Sequence, residues 1–214
     1  MDFVINVFQL MIERQELVVE SLLQHIYVSL TAIALIAAVG IPVGILISQL
    51  PKLAPPVIFL TGFLYTIPVL ALFGFMIPIL GIGYKPTLFA LFIYGLLPLV
   101  RNTYVGITEV DPFIIEAARG MGSTPTQILF WIQLPLALPV IIAGFRTVVV
   151  MTISVATIAA FIGAGGLGVL IFRGINSYYP ELIVLGSLLV AMLALLTDGL
   201  LGILEKRLLA RIKK

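Results

Sequence analysis

Five apolar runs dominate this chain, and they leave it few ways to fold. Residues Ile26–Leu50, Val57–Leu80, Thr87–Val100, Val140–Ile162 and Leu182–Leu204 contain only two charged side chains between them, Arg146 and Asp198. A helix needs about 20 apolar residues to cross about 30 Å of hydrocarbon, so each run except the third is long enough to span a bilayer. The third is flanked by Lys85 and Arg101, whose long side chains can snorkel to the interface, so its helix can continue through Asn102 and Thr103 to about residue 103. Pro42, Pro68, Pro78 and Pro98 lie inside or beside these runs and predict kinked helices. Barrel strands would alternate in polarity at every second residue, and these runs do not. The expected class is an all-α membrane protein with five transmembrane helices in one domain over residues 1–214.

Composition excludes the other classes. Hydrophobic residues make up 61% of the chain and charged residues 10%, against about 45–50% and about 25% in a soluble domain. Too few polar side chains remain to wet a globular surface, and a net charge of +2 is too small to predict a nucleic-acid partner. With no cysteine and a single histidine, His25, neither a thiol nucleophile nor a metal centre built from several histidines or cysteines is expected. His25 reads as an interfacial residue. Asp2, Glu13, Glu16 and Glu20 outnumber Arg14 near the N-terminus, the opposite of a signal peptide, so this stretch reads as part of the mature protein.

Orientation follows from the basic residues. With five spans, Arg14, Lys85 and Arg173 fall on one side; Lys52, Arg101, Arg119, Lys206, Arg207, Arg211, Lys213 and Lys214 fall on the other. Eight against three puts the N-terminus outside and the C-terminus in the cytoplasm.

The one large cytoplasmic connection, about residues 104–135, carries helix punctuation. Asp111 is a candidate N-cap with Pro112 in the first turn, and Gly120 and Gly122 are candidate stops. Thr124, Pro125 and Gln127 form a capping-box pattern opening a second helix. Ala117, Ala118, Gly120 and Gly122 remove side-chain bulk where another protein could approach closely.

In this loop Glu116-Ala117-Ala118, then Gly122, Ile132 and Leu134-Pro135, reproduce the spacing of the EAA motif and resemble the permeases of bacterial ABC importers. That resemblance implies a type I, methionine-permease-like fold in the bacterial cytoplasmic (inner) membrane. It also implies that Glu116, Ala117, Ala118, Gly120 and Gly122 belong to a coupling helix docked in a cytoplasmic ATP-binding subunit. The segments Leu97–Thr103, Ala143–Thr147 and Ile158–Gly168 are similar to osmoprotectant permeases, which serve glycine betaine, carnitine and choline. Methionine permeases share the five-span plan and the glycine run and form the nearest alternative. The implied partners are the ATPase, a second permease copy or paralogue, and an extracellular or periplasmic solute-binding protein, here expected as a separate subunit because the chain stops at Lys214. No cofactor is expected in the chain itself; ATP belongs to the partner.

Three features invite chemistry. Gly163-Ala164-Gly165-Gly166-Leu167-Gly168 fits G-x-G-x-x-G, but that pattern binds dinucleotides only inside a βαβ unit. At the outer end of a span it reads instead as a glycine-rich exit, with Gly163, Gly165 and Gly166 as candidate outer-gate residues. No lysine sits in a G-K-[ST] setting, so the chain has no P-loop and is not expected to be an enzyme. Arg146 lies inside a span, where an ionisable group is a candidate path residue, able either to attract a solute carboxylate or to snorkel or pair with a backbone carbonyl on the cytoplasmic side. Asp198 lies near enough to the cytoplasmic boundary to pair with a basic residue. Among Phe63, Tyr65, Phe73, Phe75 and Tyr94, the span holding Tyr65 is the leading path-lining helix, because Pro68 opens its backbone. A secondary transporter would show repeated halves or ion-coupling groups at the midplane, and an intramembrane enzyme a histidine or carboxylate pair in the bilayer; neither pattern is evident.

Overall fold

The computed structural model describes residues 2–212, and every regular element among them is helical. Ten α-helices follow in order: α1 Asp2–Glu13, α2 Gln15–Gln49, α3 Ala54–Thr66, α4 Val69–Leu80, α5 Tyr84–Thr108, α6 Pro112–Gly120, α7 Pro125–Ile128, α8 Leu134–Val155, α9 Gly168–Asn176 and α10 Pro180–Ile212. A π-helical turn, Leu129–Gln133, joins α7 to α8, and a 3-10 segment, Ala156–Ile162, continues α8.

Four helical stretches are long and apolar enough to cross a membrane, and α3 with α4 make a fifth only if they are counted as one broken span. The helices outrun the apolar runs because a charge ends a hydrophobic window without ending a helix. Thus α2 begins at Gln15 and takes in Glu16 and Glu20, and α5 covers Tyr84–Thr108. The second run departs furthest from a kinked rod. It is two helices bent by 94° at Ile67–Pro68. Pro68 has no N–H to extend α3, and Ile67 and Pro68 are extended (ψ 122 and 135). The freed Ile67 carbonyl accepts a hydrogen bond from the Tyr94 hydroxyl of α5, so the break is held by a neighbouring helix. Three further helices carry no span-length signal: α1, packed along α10, α6, in the connection between α5 and α8, and α9, after the glycine run.

Helix α5 sits at the centre, against α2, α8, α3 and α4. Its contacts with α2 and α8 are close because glycines face bulk across those two seams. A Cβ on Gly44 of α2 would lie 2.5 Å from Thr103 Cβ, one on Gly95 of α5 2.3 Å from Ile36 Cδ1, and one on Gly144 of α8 2.5 Å from Asn102 Cβ. Small residues at such crossings let backbones approach where lipid supplies no hydrophobic drive between helices. The core divides accordingly. Ile36, Leu91, Leu99 and Val148 fill the α2–α5–α8 junction, and Ile153, Leu167, Leu170 and Leu185 fill the space toward α1, α9 and α10.

Candidate functional site

The connection between α5 and α8 is an ordered pair of short helices. Asp111 caps α6, its Oδ1 accepting from Phe113 N–H at 2.9 Å. The helix closes in a Schellman arrangement, with Gly122 N–H donating to Arg119 O at 2.9 Å and Ser123 N–H to Ala118 O at 3.0 Å. Gly122 has φ +87, a left-handed conformation that glycine adopts without Cβ strain. Thr124 and Gln127 then form a reciprocal capping box, Thr124 N–H to Gln127 Oε1 at 2.8 Å and Gln127 N–H to Thr124 Oγ1 at 3.3 Å. Their helix does not stop. It passes through the π-helical turn directly into α8, so the second half of the loop is the foot of a span. Glu116, Ala117, Gly120 and Gly122 are exposed, and no atom lies within 4 Å of a Cβ built on either glycine. Ala118 differs: it is buried at 7% and serves α6's packing on its own chain, not an outward surface. Large apolar side chains stand out beside these small residues, Phe113 at 79% and Met121 at 86% exposure.

The second feature is an open cleft of about 530 Å³ on the α8–α10 flank, lined by Ala143, Arg146, Thr147, Val150, Met151 and Asp198. Arg146 is fully engaged there. Its Nε and one terminal nitrogen donate to Asp198 at 2.8–3.0 Å, and its other terminal nitrogen donates to Glu205 Oε2 at 2.6 Å. Asp198 and Glu205 are seven residues apart on α10, two turns, which puts both on one face. The local pairing of Arg146 is the arrangement found. Its partners are carboxylates and not the backbone carbonyl expected; Asp198 was legible as a group that pairs with a basic residue near the boundary, but its pairing with Arg146, and the part of Glu205, were not.

Tyr65 and Pro68 lie at the α3–α4 break, and the Tyr65 hydroxyl reaches Met151 Sδ at 3.8 Å. Tyr65 also meets Tyr94 with ring centroids 5.3 Å apart. Through Met151 the Tyr65 side chain therefore borders the cleft that holds Arg146, while Pro68 stands at the break three residues further on.

The glycine run stands apart from both. The 3-10 segment ends at Gly163, φ +77, whose neighbour Ile162 accepts a hydrogen bond from Gly83 N–H at 2.8 Å. Gly165 (φ +77) and Gly166 (φ +86) pass so close to α2 that a Cβ on Gly165 would lie 2.0 Å from Gln24 Oε1. Gln24 Oε1 accepts from Gly166 N–H at 3.1 Å, and His25 Nδ1 accepts from Leu167 N–H at 3.3 Å. Accepting at Nδ1 leaves the proton on Nε2, which donates to Ile153 O at 3.0 Å. His25 is thus a strut, 1% exposed, tying α2 to both α8 and the glycine loop. The sequence reading of His25 as interfacial missed this bonding, because its partners lie 128 and 142 residues away.

Comparison with known proteins agrees with this architecture. Residues 39–210 match the family described as binding-protein-dependent transport system inner membrane component, and the chain belongs to that family. Among its relatives, the carnitine transport permease protein OpuCB of Listeria monocytogenes is 48% identical over 185 residues, 86% of this chain and 85% of that protein. The choline transport system permease protein OpuBB of Bacillus subtilis is 43% identical over the same shares. The osmoprotectant import permease protein OsmW of Salmonella typhimurium is 44% identical over 85% of this chain and 87% of its own. Among solved structures, a chain of the MetNI methionine ABC transporter in an inward-facing conformation superposes with a TM-score of 0.76 at 23% identity, over 94% of this chain and 99% of that one. The fold is that of a type I ABC importer permease, and the chain is a multi-pass inner-membrane component.

Proposed function

We propose that this chain is the translocation subunit of an ATP-driven importer for quaternary-ammonium solutes such as glycine betaine, carnitine or choline. The observation that carries the reading is the 48% and 43% identity, along 85% of their lengths, to permeases named for carnitine and choline. The methionine transporter chain, at 23%, shares the fold at much greater sequence distance.

In this reading two permeases, identical or paralogous, face each other across a central path. A cytoplasmic ATP-binding subunit receives α6 on each, with Glu116, Ala117, Gly120 and Gly122 at the contact and Phe113 and Met121 as the apolar side chains that docking buries. Exposed apolar side chains beside small residues support such a partner surface. ATP, bound by the partner, draws the two loops together and turns the path outward; an extracellular or periplasmic solute-binding protein then delivers the solute. The N-terminus lies outside and the C-terminus in the cytoplasm, as the basic residues indicate. A reporter fused after residue 214 reads as cytoplasmic and one inserted near Gly83 as external.

The deciding experiment is uptake. The permease, its genomic-neighbour ATPase and its binding protein are expressed in a strain lacking osmoprotectant import, and labelled choline, carnitine, glycine betaine and methionine are offered. ATP-dependent uptake of a quaternary-ammonium solute is expected. Uptake of methionine alone would overturn the solute assignment.

A further inference from the structure

All three guanidinium nitrogens of Arg146 are already paired with carboxylates of its own chain. Asp198 occupies its Nε and one terminal nitrogen, and Glu205 holds the other at 2.6 Å. One positive and two negative groups leave the cluster with a net negative charge. The three side chains are still partly open, 28% for Arg146, 39% for Asp198 and 19% for Glu205. Charged groups open on the flank of a membrane helix face water or protein, because hydrocarbon cannot solvate them. The rest of the cleft is short and soft: Ala143, Val150, Met151 and the Thr147 hydroxyl.

We propose that the Arg146–Asp198–Glu205 cluster sets the charge preference of the solute route, drawing positive headgroups into the cleft, with Arg146 as internal counter-ion and not as carboxylate receptor. The inference rests on the functional reading above and names the residues that discriminate among its solutes. A trimethylammonium group has a diffuse charge and no N–H to donate, so it asks for no directional acceptor. It needs a negative field and apolar contact for its methyl groups, and the cleft offers both. A zwitterion gains from its ammonium and loses through its carboxylate, so the same field changes its passage less. The sequence alone leaves two roles open for Arg146, attraction of a solute carboxylate or local pairing, and does not show that two carboxylates surround it.

The test uses the assembled importer, with its ATPase and binding protein, in proteoliposomes, and reads the ratio of initial choline uptake to glycine betaine uptake. The external protein is the same throughout, so any change in ratio belongs to the permease. Removing one unit charge at about 8 Å, through an effective dielectric of about 40 for a wet cleft, changes local cation population about fivefold. Asp198→Asn and Glu205→Gln should each lower the ratio by about that factor. Arg146→Gln, which leaves two carboxylates unbalanced, should raise it. Glu205→Gln keeps the Asp198–Arg146 pair, so it carries the test if Asp198→Asn does not assemble. Ratios unchanged in every assembled variant, or shifted the same way by Glu205→Gln and Arg146→Gln, would overturn the inference while the uptake itself upheld the functional reading. An importer that moves neither solute would overturn both.

Discussion

Replacing His25 by alanine removes a strut whose worth can be worked from its bonds. The imidazole accepts from Leu167 N–H and donates to Ile153 O, and it is 1% exposed, so water cannot take its place. Leaving a buried donor without a partner costs about 1–3 kcal/mol, and losing the bond to the carbonyl costs about 1 kcal/mol more. The sum is about 2–4 kcal/mol before any loss of packing. For a chain of this size each kcal/mol moves the melting temperature by about 2–4 °C, so His25→Ala should lower it by about 5–15 °C. Thermal unfolding in detergent, followed by circular dichroism at 222 nm, measures this directly because the fold is helical. His25→Asn places an amide oxygen near the Nδ1 position and can keep the Leu167 bond while losing the Ile153 bond, so it should fall between the two. A His25→Ala protein that melts with the wild type would refute the strut.

Two further outcomes follow from close approach and from loop geometry. Gly44→Ala sets a methyl 2.5 Å from Thr103 Cβ and 3.0 Å from Val100 O, so α2 and α5 must separate; a loss of about 1–3 kcal/mol is expected by the same melting assay, whereas Gly199→Ala, with nothing within 4 Å, should not lower it. Gly122→Asp meets no neighbour within 4 Å but must hold the left-handed φ of +87, a local strain of about 1 kcal/mol confined to the loop, so membrane insertion should persist while ATP-driven uptake is lost; normal uptake with normal ATPase assembly would remove α6 from the coupling contact.

What could be read from the chain and what could not divide by distance along it. Apolar runs and cap residues act locally, so the bilayer-crossing segments, the Asp111 cap, the glycine-ended α6 and the Thr124 capping box were all legible. Helix ends were less so, because the limits were drawn at charges and Glu16, Glu20 and Glu205 are carried comfortably inside helices. The 94° break was legible only as a proline, since its angle is set by Tyr94 reaching the Ile67 carbonyl from 27 residues away. Arg146 was visible as an intramembrane charge, but its partners stand 52 and 59 residues on. The burial of Ala118 was hidden as well, since an alanine in a short amphipathic helix carries no sign of which face packs.

The uninterrupted run from Pro125 through the π-helical turn to Val155 has a mechanical consequence. At 1.5 Å per residue it is a rod of about 46 Å, with the loop at its foot and the Ile153 carbonyl near its head. A rod this stiff passes an axial thrust along its length with little loss, whereas bending concentrates at its softest joints. Two joints qualify: the wide π turn at Leu129–Gln133, where Phe130 and Trp131 are exposed, and Pro139 inside α8, which has no N–H to complete the helical ladder. A force applied at the foot therefore divides. Its lateral component is taken up as bending between Trp131 and Pro139, and its axial component arrives at the Arg146 cleft and, through His25 between Ile153 and Leu167, at the glycine loop.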